Sequence, residues 1–292
     1  VVSSRAGIDS LVNLSGKAKL AGVMGWPISH SRSPLLHGYW LRELNIDGAY
    51  LPFAVDPGNI EVALRALPIF GISGVNLTVP HKELAMLVCD NIDSIGRRIG
   101  AVNTIVVNDD GTLSGTNTDA FGFLENLRAE SAWRASDGPA LVLGAGGAAR
   151  AIVAALIDDG IGEVRLANRT LSRAEALAAE FGRAVTTVPW DQINAAMDGA
   201  ALLVNTSTLG MTGQLDLELD LHDLPDTAVV NDIVYSPLET TLLRKAKTRG
   251  NSVVDGLGML LHQARPGFTA WFGKEPRVSD GLRAHILADL SA

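Results

Sequence analysis

Gly144-Ala145-Gly146-Gly147-Ala148-Ala149 is a G-x-G-x-x-A stretch between a short apolar run, Ala140-Leu141-Val142-Leu143, and a helical pattern from Arg150 to Asp158. Strand, glycine turn and helix in that order suit a dinucleotide pyrophosphate. Gly144 permits the tight turn, Gly146 lets the backbone approach the phosphates, and Ala149 allows the helix to lie close on the strand. Free N–H groups and the dipole at the helix start favour the negative charge. A second strand over residues 162–167 ends at Asn168-Arg169-Thr170, with Arg173 one helical turn on. An NAD site places Asp or Glu about 20 residues along, to accept from the ribose 2′-OH. An amide, a hydroxyl and two guanidinium groups suit a 2′-phosphate instead. The plainer reading is a solvated helix start with Thr170 as N-cap. The balance favours NADP over NAD.

Three further groups have chemical potential. Lys82 lies in the first turn of a helix read from Pro80 to about Val88, where the dipole disfavours a cation. A lysine so placed suits general acid–base work; it also reads as a solvated lysine pairing with Glu83 or Asp90. Asp119 opens a helix reaching about Ala129, either as its N-cap or as a functional carboxylate. Ser33 reads as an N-cap with Pro34 at the first helical position, whereas Ser31 has no such duty. In an extended segment residues two apart point the same way, so both serines could donate to one anion.

The elements that must position these groups alternate strand and helix. Strands are read over residues 19–25, 49–55, 74–79 and 101–107, and helices over 35–44 and 58–67. Asn108-Asp109-Asp110-Gly111 is a hairpin turn, with the return over 112–116. Ser131 to Pro139 marks entry to a second domain, which continues with strands over 200–204, 228–234 and 251–254. Loops at the carboxyl ends of such strands face a ligand crevice. Here they carry Thr206-Ser207-Thr208, Tyr235 and Asp255-Gly256. A last apolar helix, about 257–272, holds Gln263. Residues 1–18 carry little pattern and read as a lead-in.

The 292 residues suffice for two domains with cores of their own. A net charge of −8 with no basic tract argues against nucleic acid as a partner. The single cysteine, Cys89, excludes an internal disulfide and fits a reducing, cytoplasmic compartment. No run reaches the roughly 18 apolar residues of a membrane span, and the six scattered histidines suggest no metal site.

Taken together, these motifs resemble the shikimate dehydrogenase family. The residues carrying the resemblance are Gly25 to Pro34, Asn76 to Lys82, Gly100 to Thr104, Gly115 to Asp119, the glycine loop, Asn168-Arg169-Thr170, and Gly256 to Ala264. They span the chain from about Lys19 to Gly273. The resemblance implies an α/β fold of two domains with a cleft between them. An N-terminal substrate domain would cover 1–119, with the C-terminal helix 257–292 returning to it, and a Rossmann-like NADP-binding domain would cover 120–256. It implies reversible NADPH-dependent reduction of 3-dehydroshikimate to shikimate, a step towards chorismate and the aromatic amino acids.

By resemblance, Ser31 and Ser33 would bind the substrate carboxylate. Thr78, Asn103, Asp119, Tyr235 and Gln263 would hold ring hydroxyls, with Lys82 at the reacting oxygen and paired with Asp119. The cofactor would lie on Gly144, Ala145, Gly146, Gly147, Ala148 and Ala149, on Asn168, Arg169, Thr170 and Arg173, and on Thr206, Ser207, Thr208, Ile233 and Gly256. The chain departs from the family pattern in about fifteen extra leading residues. Pro266 stands where many relatives continue a plain helix, and Ser94 where relatives often carry an acid near the cofactor. The neighbouring readings are a quinate/shikimate dehydrogenase using NAD(H), a methylene-tetrahydrofolate dehydrogenase-like enzyme, and a sensor that keeps the fold. A sensor has no need of both Lys82 and Asp119. The expected partner is a small-molecule substrate, with no nucleic acid or membrane, in a monomer or homodimer.

Overall fold

A computed structural model describes residues 14–290, so the lead-in read over 1–18 lies outside the described residues as far as residue 13. The chain divides into two compact units. One ends at Thr116 and resumes over Ala264–Asp289; the other spans Asn117–Gln263.

In the first unit the order is β1 (Lys19–Gly25), α1 (Ser33–Glu43), β2 (Gly48–Ala54), α2 (Ile60–Ala66), β3 (Ile72–Leu77), α3 (His81–Leu84), β4 (Asn91–Ile92), α4 (Ser94–Ile99), β5 (Thr104–Val107) and β6 (Leu113–Thr116). The sheet order is β2-β1-β3-β5-β6-β4. β1 runs parallel to β2 and β3, and β5 is antiparallel to β3 and β6. The Asn108–Gly111 turn closes the β5–β6 hairpin, with the Asn108 N–H donating to Thr112 O at 2.9 Å. α1 turns Leu36, His37, Trp40 and Leu41 inward, a single stripe at helical spacing. His37 stacks on Tyr50 with ring centroids 3.9 Å apart, among Trp40, Phe268 and Trp271. Burial there holds the imidazole neutral, pushing its pKa down from 6.5 to about 3.

The second unit begins with α5 (Asp119–Glu130). It continues through β7 (Ala140–Leu143), α6 (Gly147–Asp158), β8 (Val164–Ala167), α7 (Leu171–Phe181), β9 (Val185–Val188), α8 (Ile193–Ala196), β10 (Leu202–Asn205), β11 (Val229–Asp232), α9 (Thr241–Arg249) and β12 (Ser252–Val254). All six strands are parallel, in the order β12-β11-β10-β7-β8-β9. Leu141, Val142, Leu143, Leu202, Leu203 and Val204 are wholly buried, as strands covered on both faces require. Strand order reverses between β7 and β10, the switch point at which doubly wound sheets bind ligands. α10 (Gly256–Phe272) is one helix through Pro266, so the proline does not end it, and α11 (Asp280–Leu290) follows.

Several boundaries differ from the sequence reading. α1 starts at Ser33 itself with Arg32 at the N-cap, so Ser33 is not the cap. The Ser31–Ser33 segment is a turn rather than extended: the Ser31 N–H donates to Ile28 O, and the Ser33 N–H to Ser31 Oγ at 3.3 Å. The helix read to Val88 stops at Leu84 and continues as a 3₁₀ turn to Leu87. α6 begins at Gly147, three residues before the pattern suggested, its first turn holding Gly147, Ala148 and Ala149.

Candidate active site

In the first unit, five of the residues singled out lie at one end of the sheet. β1 and β3 are parallel, and their carboxyl ends lead into the Ser31–Ser33 turn and the Thr78–Lys82 segment. β5 runs the other way and begins at Thr104, so Asn103 falls at this same end, its carbonyl accepting the Leu77 N–H at 2.8 Å. Thr78 is held by its N–H on Met24 O at 3.0 Å, and its carbonyl accepts the His81 N–H at 2.9 Å. Lys82 is half-buried in the first turn of α3, its carbonyl taking the Val102 N–H at 2.8 Å. Asp90 is engaged elsewhere: Arg65 reaches both its oxygens at 2.8 Å and the Leu113 N–H donates at 2.8 Å. These bonds hold its carboxyl below the usual range.

A partly buried polar chain connects the two ends of this set. The Ser33 hydroxyl reaches the Tyr50 phenol, which donates to Asn76 Oδ1 at 2.7 Å. Asn76 Nδ2 donates to Thr104 Oγ1 at 3.0 Å, and Thr104 donates to Asn103 Oδ1 at 2.9 Å. Tyr50, Asn103 and Thr104 are buried, and burial pushes the Tyr50 phenol well above its ordinary pKa. A neutral donor therefore anchors both serine and asparagine sides.

In the second unit, Asp119 is the first residue of α5, not its cap. Thr118 occupies the N-cap, and Asn117 Oδ1 receives the Asp119 N–H at 2.9 Å. One turn on, Gly122 lies so close to α10 that a Cβ there would stand 2.6 Å from the Gln263 Cβ. The same two helices meet where Gly258 abuts the Asn126 amide, whose Nδ2 donates to Asp255 O at 2.8 Å. The close approach brings the start of α5 and Gln263 to neighbouring positions.

The glycine loop fits a pyrophosphate. Gly144 has φ of +114°, and a Cβ on it would stand 2.5 Å from Thr206 Oγ1, so only glycine fits. Thr206 in turn donates through Oγ1 to Leu143 O at 2.7 Å, joining the loops after β7 and β10. Cβ atoms at Gly146 and Gly147 would meet nothing within 4 Å, which leaves the first amides of α6 open to a ligand. Ala149 is fully buried, Ala145 and Ala148 half-buried. Asn168 Nδ2 donates to Thr170 O at 2.8 Å and shapes the turn after β8. Thr170 is the N-cap of α7 by position, though its side chain makes no capping bond. Arg169 and Arg173 are exposed beside it and are paired with no carboxylate among the described residues. Ile233 and Gly256 meet: a Cβ at Gly256 would strike the Ile233 carbonyl. Ser207 and Tyr235 are half-buried and Thr208 is exposed, all on loops at the carboxyl ends of β10 and β11.

Two family models match: the shikimate dehydrogenase substrate binding domain over residues 23–105, and shikimate / quinate 5-dehydrogenase over residues 127–213. The shikimate dehydrogenase (NADP(+)) of Paramagnetospirillum magneticum is 62% identical over 276 residues, covering 94% of this chain and 100% of that protein. The chain belongs to the shikimate dehydrogenase family. The shikimate dehydrogenase (NADP(+)) of Rhodospirillum rubrum is 57% identical, over 94% of this chain and 99% of that one. The shikimate 5-dehydrogenase of Thermus thermophilus, crystallised with NADP(H) and shikimate, has a TM-score of 0.82 at 39% identity, over 92% of this chain and 99% of that one.

The sequence reading of this shikimate dehydrogenase family member passed over four buried or half-buried polar groups, three in the first unit and one in the second. Tyr50, Asn76 and Thr104 form the polar chain, and Asp232 ends β11. A polar residue inside an apolar strand run was the available signal, at Asn76 and at Asp232. Burial pushes the Asp232 carboxyl up from 3.8 to about 6, against hydrogen bonds from Thr240, Val234 and Asn205. A raised carboxylate pKa means the fold binds the proton more tightly than the unfolded chain. This contribution to stability therefore falls as pH rises from about 4 to about 6, by roughly 3 kcal/mol in all. Asp232→Asn removes that slope. Urea unfolding of both proteins should show the variant gaining on the parent through this interval and holding its lead at pH 7. A difference independent of pH would show that Asp232 does not titrate there.

Proposed function

We propose that the chain catalyses reversible NADPH-dependent reduction of 3-dehydroshikimate to shikimate, in the chorismate and aromatic amino acid pathway. Family membership supports this reading. The observation that carries it is the set Ser31, Ser33, Thr78, Lys82 and Asn103 at one end of the first sheet. These are the hydroxyl, amide and ammonium groups that a polyhydroxylated carboxylic acid calls for. The first unit is the substrate domain and the second the NADP-binding domain. The protein works in the cytoplasm as a monomer or homodimer, and its single Cys89 suits that compartment.

Ser31 and Ser33 hold the carboxylate, while Thr78, Asn103, Tyr235 and Gln263 hold ring hydroxyls. NADP supplies a hydride acceptor for shikimate oxidation, and NADPH the donor for the reverse. Hydride departure from a secondary alcohol makes its hydroxyl proton strongly acidic as the carbonyl forms. Lys82 takes that proton from the reacting oxygen and returns it in the reduction direction. Asp119 is the second catalytic residue. The open amides at the start of α6 bind the pyrophosphate, and Asn168, Arg169, Thr170 and Arg173 bind the 2′-phosphate.

Quinate shares the reacting hydroxyl but has a saturated ring and an extra hydroxyl beside the carboxylate, on the side of Ser31 and Ser33. A pocket rejects an added hydroxyl by about 10²-fold unless a polar group is left unpaired. Initial rates with shikimate and quinate, each against NADP⁺ and NAD⁺, test the whole reading. Shikimate with NADP⁺ should have the highest kcat/KM, and quinate a value well below it. Faster turnover of quinate with NAD⁺ would put a quinate/shikimate dehydrogenase in its place.

A further inference from the structure

Asp232 is a wholly buried carboxylate at the carboxyl end of β11, beside loops that the proposed mechanism uses. Its Oδ1 accepts from Asn205 Nδ2 at 2.9 Å and from the Val234 N–H at 3.1 Å. Its Oδ2 accepts from the Thr240 hydroxyl at 2.7 Å, and Thr240 caps α9 by receiving the Leu243 N–H at 3.3 Å. Asn205 passes the restraint on: its Oδ1 accepts the Ser207 N–H at 3.0 Å and the Ser207 hydroxyl at 2.7 Å, and its Nδ2 also donates to Leu209 O at 3.1 Å. One carboxylate thus joins the loop bearing Thr206, Ser207 and Thr208 to the loop bearing Ile233 and Tyr235. Asn205, Asp232 and Thr240 are each at most 2% exposed.

The groups facing this carboxylate are an amide, a hydroxyl and a backbone N–H, none of them charged. The ionisable groups of neighbouring elements are engaged elsewhere. Asp255 after β12 receives the Leu257 N–H, Arg244 of α9 reaches Thr241, and Lys245 and Lys247 pair with Glu218 and Glu239. Burial without a cation costs stability, as the raised pKa indicates. An apolar side chain would avoid that cost but would leave the buried Val234 N–H and Thr240 hydroxyl without their acceptor. What an apolar residue cannot do is accept from two loops at once.

We propose that Asp232 is a positioning residue, which sets the Thr206–Thr208 loop and the Ile233–Tyr235 loop in fixed register so that cofactor and substrate groups are presented together. The inference rests on the proposed shikimate oxidation with NADP⁺. Asp232→Ala leaves the Val234 N–H and the Thr240 hydroxyl without their acceptor and uncouples the loops. In the folded variant KM for NADP⁺ and KM for shikimate should each rise about tenfold or more, with a smaller fall in kcat, a KM-weighted loss. Asp232→Asn should restore both KM values to within about threefold, since its Oδ1 still accepts from Asn205 and Val234 while its Nδ2 donates to Thr240 Oγ1. Should the alanine variant not fold, Asp232→Thr, close in volume and with one acceptor oxygen in place of two, gives the same reading. A merely structural role would lower Tm and scale kcat with the folded fraction, leaving KM unmoved. That outcome, beside a parent protein that oxidises shikimate with NADP⁺, overturns this inference alone. A parent that does not oxidise shikimate overturns the proposed function and this inference with it.

Discussion

Lys82→Ala should lower kcat for shikimate oxidation by at least about 10²-fold, while KM for shikimate stays within a few-fold of the parent value. The magnitude is that of general acid–base catalysis, about 10²–10⁴-fold. The split between kcat and KM follows because the proton moves in the transition state, so the interaction lost is one the ground state makes weakly. The solvated reading of this lysine expects no such loss. Lys82 is half-buried, its backbone is tied to Val102 beside Asn103, and Asp90, one of the carboxylates it could have paired with, is taken by Arg65. Only one short turn of α3 carries it, so the truncation leaves the core of the unit intact. Steady-state kinetics on the purified variant decide the matter. Turnover at the parent rate would remove Lys82 from the mechanism.

Arg169→Ala should raise KM for NADP⁺ by about 10- to 100-fold and leave KM for NAD⁺ close to the parent value, since a charged hydrogen-bonded contact contributes roughly 1.5–3 kcal/mol. Arg169 is exposed at the carboxyl end of β8, and no carboxylate among the described residues competes for it. Removing it therefore breaks no ion pair within the protein. The Asn168 side chain, bonded to Thr170 O, keeps the turn in shape without the arginine. Arg173 retains part of the attraction, so the double variant should lose more than either single one. Equal losses with both cofactors would show that Arg169 supports the loop and does not read the 2′-phosphate. The comparison needs both nucleotides under one set of conditions, because the difference between them is the quantity predicted.

The nucleotide unit was legible because its signals are local. β7, the glycine turn and α6 are continuous in sequence, and apolar runs such as Ala140–Leu143 match strands buried on both faces. The hairpin at Asn108–Gly111 was legible for the same reason: turn chemistry is decided by four adjacent residues. Helix starts were less so. Ser33 and Asp119 both had the residue type of a cap, yet each is the first helical residue, and Asn117 receives the Asp119 N–H instead. A cap is decided by which of several neighbouring polar side chains reaches an amide, and composition does not distinguish them.

By itself the sequence determined the strand–turn–helix unit around G-x-G-x-x-A, the main strands on either side of it, the absence of an acid after β8, and the residue types available for acid–base work. Only the tertiary structure decided which groups act together. Thr206 meets Leu143 across 63 positions, Asn205 meets Asp232 across 27, and Tyr50 meets Asn76 across 26. It also decided why Gly144 admits no side chain, since the obstructing atom belongs to Thr206 on another loop. The physical reason is the same in each case. Backbone propensity and hydrophobic period act over a few residues, whereas a buried polar group takes its state from whichever donors the fold brings to it.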